Sequence, residues 1–158
     1  MRGSFIAGWV AAALAATVVV PAGQAAAATF PVDDSATLPH RSSAVMRWRS
    51  AAPNPIDGNI VDGTTVVTLV LNTAPFLHRV GRIYMLLPEP PIGPVSVDWT
   101  TQGRLLPGSL VSGQRTLIYA GPITTRILSD TMAVSVHADG SRLSSDQDLD
   151  FHFEIDVE

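Results

Sequence analysis

From Leu149 to the end of the chain, apolar and polar residues alternate without a break. Leu149, Phe151, Phe153, Ile155 and Val157 fall in one phase, and Asp148, Asp150, His152, Glu154, Asp156 and Glu158 in the other. A period of two is the signature of a strand with one face on a core and the other in water. The same period runs through Met132, Val134 and Val136 against Ala133, Ser135 and His137, and through Val95, Val97 and Trp99 against Ser96, Asp98 and Thr100. A shorter run sets Ala44, Met46 and Trp48 opposite Val45, Arg47 and Arg49, which predicts a first strand with a basic polar face. Thr64 to Leu71, TTVVTLVL, is rich in β-branched residues and hardly alternates, so it predicts a strand deep in a sheet or covered on both faces. Phe76 to Leu87 reads as a strand bulged at Gly81, and Arg104 to Leu106 and Thr116 to Ala120 as short strands.

Between these runs lie strong breakers. Pro53, Pro55 and Gly58 end the first strand, Pro88 to Pro94 (PEPPIGP) predicts a stiff crossover loop, and Pro107-Gly108, Ser112-Gly113 and Asp139-Gly140 predict turns. Ser141 to Asp148 makes the last connection longer than a minimal hairpin. Thr29 to Ser43, with Pro31 and Pro39 and few apolar residues, reads as an extended arm outside the core. No segment is long and amphipathic enough to require a helix. Seven or more short strands with regular turns predict an all-β fold, an antiparallel β-sandwich of immunoglobulin-like type without a disulfide, over residues 44–158.

Composition narrows the chemistry. The 158 residues hold ten Arg, no Lys and no Cys. The phosphate-loop lysine, Schiff-base lysines and disulfide staples are therefore absent from the chain. Residues 1–28 carry Arg2, an apolar stretch from Phe5 to Val20, and small residues up to Ala26-x-Ala28, the layout of a cleavable secretory signal. The apolar stretch is shorter than the roughly 20 residues of a spanning helix. There is no lipidation Cys and no Arg pair, which leaves the general secretory route. Cleavage after Ala28 leaves an arm, 29–43, and the β body, with nine Arg against fourteen acids and a charge of −5. Such a surface gives no attraction for nucleic acid.

Candidate chemistry is thin. Asp146, Asp148 and Asp150 open like a calcium loop, but the sixth and twelfth positions are Phe151 and Val157 instead of Gly and Glu. Asp150, His152, Glu154, Asp156 and Glu158 share one strand face about 7 Å apart, too splayed for zinc, and predict a cross-strand ladder with Arg47 and Arg49. Ser109 and Ser112, with His40, His78, His137 and His152, supply the parts of a serine hydrolase but not its Gly-x-Ser-x-Gly turn, and His137 beside Asp139 reads as a turn residue. Trp48, Trp99, Tyr84 and Tyr119 all fall in strands, leaving no evident sugar platform. No catalytic, cofactor-binding or metal-binding residue is assigned. The expectation is a secreted, cofactor-free module acting by surface contact with a protein or envelope component. The alternatives are a polymerising pilin-like subunit joined through a sheet edge, a pore-forming subunit, and a metal-dependent or serine hydrolase.

Overall fold

The structure, a computed structural model, describes residues 28–39, 45–50, 58–90, 93–142 and 149–158. Among the described residues ten strands follow one another: β1 Ala28–Pro31, β2 Leu38–Pro39, β3 Arg47–Trp48, β4 Ile60–Asn72, β5 Val80–Leu86, β6 Ser96–Thr101, β7 Gly108–Val111, β8 Arg115–Pro122, β9 Ile127–Asp139 and β10 His152–Val157. They form two antiparallel sheets. One has the order β1-β10-β5-β8; the other runs β2-β4-β9-β6-β7 with β3 beside β2 on the edge of β4. Apolar residues of both sheets meet in one core, in which Leu71, Ile83, Val97, Ile118 and Ile155 are fully buried.

The pairing is nested. The first strand lies against the last, β4 against β9, β5 against β8 and β6 against β7, and successive pairs alternate between the sheets. A long hairpin rolled up in this manner is a jelly roll, the double-sheet arrangement of two Greek keys. This corrects the immunoglobulin-like expectation. In an immunoglobulin domain the first strand lies beside the second, whereas here β1 takes the edge of β10.

The alternating C-terminal segment forms β10 as expected, with Phe153, Ile155 and Val157 buried and Leu149 and Phe151 packed at the margin of the core. It is an inner strand, between β1 and β5. The chain from β9 to β10 changes sheets and so closes no hairpin; residues 143–148 of this connection lie outside the described residues. Strand β4 alternates more than its sequence suggests. Leu69 and Leu71 are buried, but Thr64 and Val66 are exposed, so the run is covered on one face only.

Other expectations are corrected by packing. The Phe76–Leu87 strand begins only at Val80, after a short 3-10 turn at Ala74–Phe76. Its bulge is not at Gly81. The irregularity falls where Ile83 faces Tyr119 and Tyr84 faces Leu117, leaving Ile118 as the extra residue of β8, so that Ile118 and Tyr119 are both buried. Gly81 serves close packing instead, since a Cβ there would stand 2.8 Å from Ile155 Cδ1. Of the expected 44–49 strand, Ala44 lies outside the described residues, and among the rest only Arg47–Trp48 is strand. Arg104–Leu106 forms no strand; Leu105 turns into the core, where its N–H donates to Asp130.

The described part of the arm, residues 29–39, is extended but belongs to both sheets; residues 40–43 lie outside the described residues. Strand β1 pairs with β10, the Val32 N–H donates to the Phe153 carbonyl, Asp33 bridges to Asn72, and β2 pairs with β4. Val32 is buried and Phe30 packs its ring 5.8 Å from that of Phe76. The segment thus crosses from one sheet to the other and closes that side of the roll. Its alternation is too short to read because it changes sheets after four residues.

Candidate functional site

Register determines which side chains share the outer face of the six-stranded sheet. Asp62 of β4 lies opposite His137 of β9, and Asp62 also faces Arg47 of β3. One row further along, Asp98 of β6 lies opposite Ser135. From these positions His137 reaches carboxylates on both sides, with Nδ1 2.6 Å from Asp62 Oδ1 and Nε2 3.1 Å from Asp98 Oδ2. Arg49 donates through Nε and Nη2 to both oxygens of Asp62, at 2.9 and 2.8 Å, and its Nη2 stands 3.2 Å from His137 Nδ1. Four side chains from strands β4, β6 and β9 and from just beyond β3 therefore form one polar patch at one end of the sheet.

The patch is a clamp more than a reaction centre. Both ring nitrogens of His137 face carboxylates, so neither is turned toward a serine hydroxyl. Its firmest element is the two-pronged Arg49–Asp62 pair. The Arg49 guanidinium, together with His137, holds Asp62 down at about 2, below its usual 3.8. A carboxylate depressed in the folded state contributes stability above its unfolded value and loses it as the pH falls through the folded one. Asp62→Asn is therefore expected to lower the urea midpoint at neutral pH by an amount worth less than about 1 kcal/mol, because the pair is partly solvated. The difference from the parent chain should vanish as the pH drops from 4 toward 2, which urea titrations across that window will read.

The remaining sequence candidates do not join this patch. Asp146, Asp148 and His40 lie outside the described residues, and among the described ones His152 stands 3.5 Å from Asp150. Among the described residues no three metal-ligating side chains converge. The acidic face of β10 does find cations, but not Arg47 or Arg49, which sit on the other sheet. Arg115 of β8 reaches Glu154 and Asp156 at 3.7 and 3.2 Å, over the ring of Tyr84, and Arg82 of β5 reaches Glu158. Asp156 is held below the usual carboxylate range, first by the Thr29 hydroxyl and then by Arg115. Ser112 is buried and accepts from the Val95 N–H; Ser109 is exposed on β7 and His78 is exposed beyond the 3-10 turn. Trp99 is buried with its indole N–H on the Leu106 carbonyl, and Tyr119 donates to the Pro122 carbonyl. His137 faces outward within β9, not at the turn beyond it. An open cleft of about 520 Å³ at one end of the four-stranded sheet includes Pro31, Leu87, Arg115, His152 and Glu154 in its walls, and its one arginine is already engaged by acids.

The feature that the sequence reading missed is the rest of the outer face. Beyond Asp62 and His137, the outward positions of the two longest strands are Thr64, Val66, Thr68, Val70 and Asn72 on β4, and Ser135, Ala133, Thr131, Ser129 and Ile127 on β9. None is charged. A sheet face meant for water alone normally carries charges, whereas the middle of an interface is depleted of them. Of the exposed large apolar side chains, Leu38, Val66, Val111 and Ile127 fall on this face by register. The signal was present in the alternation of Ala133 and Ser135, but it needs the pairing of β4 with β9 to become a surface.

Compared with known protein families, with curated proteins and with solved structures, the chain matches none.

Proposed function

We propose that this protein is an exported, cofactor-free module that works by surface contact with a protein or envelope component, outside the cytoplasm. In this reading residues 1–28 are a cleavable leader and the two-sheet body is the working part. The contact surface is the outer face of the six-stranded sheet. The observation that carries the reading is the run of ten uncharged outward positions on β4 and β9, bearing exposed Val66 and Ile127. The jelly-roll plan fits such a role by analogy of fold alone, since capsid and lectin domains use it. The hydrolase alternative gains no support from a histidine whose two nitrogens both face carboxylates.

A photo-reactive residue placed at Ala133 in producing cells tests the reading. We expect a covalent adduct from position 133 and none from Arg82, which is exposed on the outer side of the other sheet. Equal labelling from both positions, or none from 133, would remove the assignment.

A further inference from the structure

We infer that His137 is a proton-operated tie: with both ring nitrogens protonated it holds Asp98 of β6 to Asp62 of β4 across β9, and on losing the Nε2 proton to water it lets Asp98 go. The inference goes beyond the surface-contact reading and does not depend on it. A carboxylate oxygen only accepts hydrogen bonds, so each ring nitrogen that faces one must carry a hydrogen. Nδ1 stands 2.6 Å from Asp62 Oδ1 and Nε2 3.1 Å from Asp98 Oδ2, and the arrangement is that of an imidazolium. Asp62, held down at about 2, stays ionised wherever an imidazole changes charge, so the proton in the shorter contact belongs to Nδ1. A neutral ring has one N–H and cannot serve both carboxylates.

The surroundings decide which arm gives way. The charged groups at this end of the face are Arg47 of β3 and Arg49 just beyond it, Asp62 of β4, Asp98 of β6, and Asp139 of β9 itself, which is turned to Ser141 and Arg142. Arg49 fixes Asp62 through both carboxylate oxygens, and a bare Nδ1 would set its lone pair against Asp62 Oδ1. The Arg49 Nη2 contact with Nδ1, at 3.2 Å, is longer than the one to Asp62 and does not displace it. Asp98 has the more exposed side chain, 58% against 33% for Asp62, and among the described residues the ring is the only cation in ion-pair reach of it. Its carboxylate therefore turns into water when Nε2 is bare. Asp98 shares a row with the uncharged Thr64 and Ser135. With the tie closed its charge is offset by the ring; with the tie open a bare carboxylate stands on the face, which is thus more acidic on the alkaline side of the change.

The ring of the parent chain is the first readout. Nitrogen–proton correlation spectra of its histidines should show His137 with both nitrogens protonated at about pH 5, and with Nδ1 alone protonated above about pH 8. The second readout is a double-mutant cycle on urea midpoints, with His137→Ala, Asp98→Asn and the two together. Their shifts should be non-additive at the lower pH and additive at the higher, whereas His137→Ala with Asp62→Asn should be non-additive at both. All three side chains face outward and are partly solvated, so the variants should fold; the spectra of the parent chain decide the matter without them. A bare ring nitrogen at the lower pH, or a neutral ring that keeps its proton on Nε2, would overturn the tie. So would a coupling between His137 and Asp98 that is the same at both pH values, zero included.

Discussion

Phe153→Asp is expected to leave the chain unfolded, whereas His152→Ala, one residue earlier, should shift stability by less than about 1 kcal/mol. The contrast follows from the place of β10. Phe153 is 5% exposed and Ile155 fully buried, in a strand that pairs with both β1 and β5. Burying one such side chain is worth about 1.5–3 kcal/mol, and the substitution also puts a carboxylate into the apolar core. Against a net stability of about 5–15 kcal/mol, those two losses together consume most of what holds the fold. His152 is exposed, with Asp150 at 3.5 Å. Removing the chain from Leu149 onward should likewise abolish a cooperative urea transition, because it strips β1 of its partner. Urea unfolding followed by far-ultraviolet circular dichroism reads all three chains.

Asp130→Ala should cost about 2–3 kcal/mol, and Asp130→Asn clearly less. Asp130 points inward from β9, in the phase otherwise held by Leu128, Met132, Val134 and Val136. Its carboxylate accepts the N–H of Leu105 at 2.9 Å and of Gln102 at 3.3 Å, and a Cβ at Gly103 would stand only 3.0 Å from the carboxylate carbon, so glycine leaves the room that the carboxylate fills. Alanine leaves the Leu105 donor buried without a partner, while the asparagine carbonyl still accepts one bond. Equal urea midpoints for Asp130→Ala and the parent chain would show that the 102–105 loop is held by something else.

Asp130 also shows how far the sequence could be read. A charged residue in the apolar phase of a strand is a visible irregularity, but the alternation was read only from Met132 onward and passed over Asp130, whose buried hydrogen-bonding role the packing revealed. Strands β6, β9 and β10 were legible because one face is dry and the other wet, which imposes period two. The order of strands was not, because alternation says nothing about partners; an immunoglobulin-like plan and a jelly roll share it. The pairing of the arm was missed for a related reason, since four residues on one sheet and two on the other give no period. His137 illustrates the same limit at the site. Its outward phase was plain, but Asp62 and Asp98 come from strands 75 and 39 residues away. The uncharged face emerges only when β4 is laid against β9.

Every assignment of an outer face depends on the nested pairing, with the first strand against the last. Because the chain has no cysteine, one pair of substitutions tests it directly. Thr29 and Asp156 are register partners, and their Cα atoms therefore lie about 4.5–5.5 Å apart, within the span a disulfide bridges. Thr29→Cys with Asp156→Cys is expected to oxidise within one chain and raise the urea midpoint. Thr29→Cys with Ala120→Cys, which lies two strands further across the same sheet, should stay reduced. A bond between chains in the first pair would mean that β1 is donated to a neighbour, as in a polymerising subunit, and failure to form any bond would contradict the rolled-hairpin fold itself.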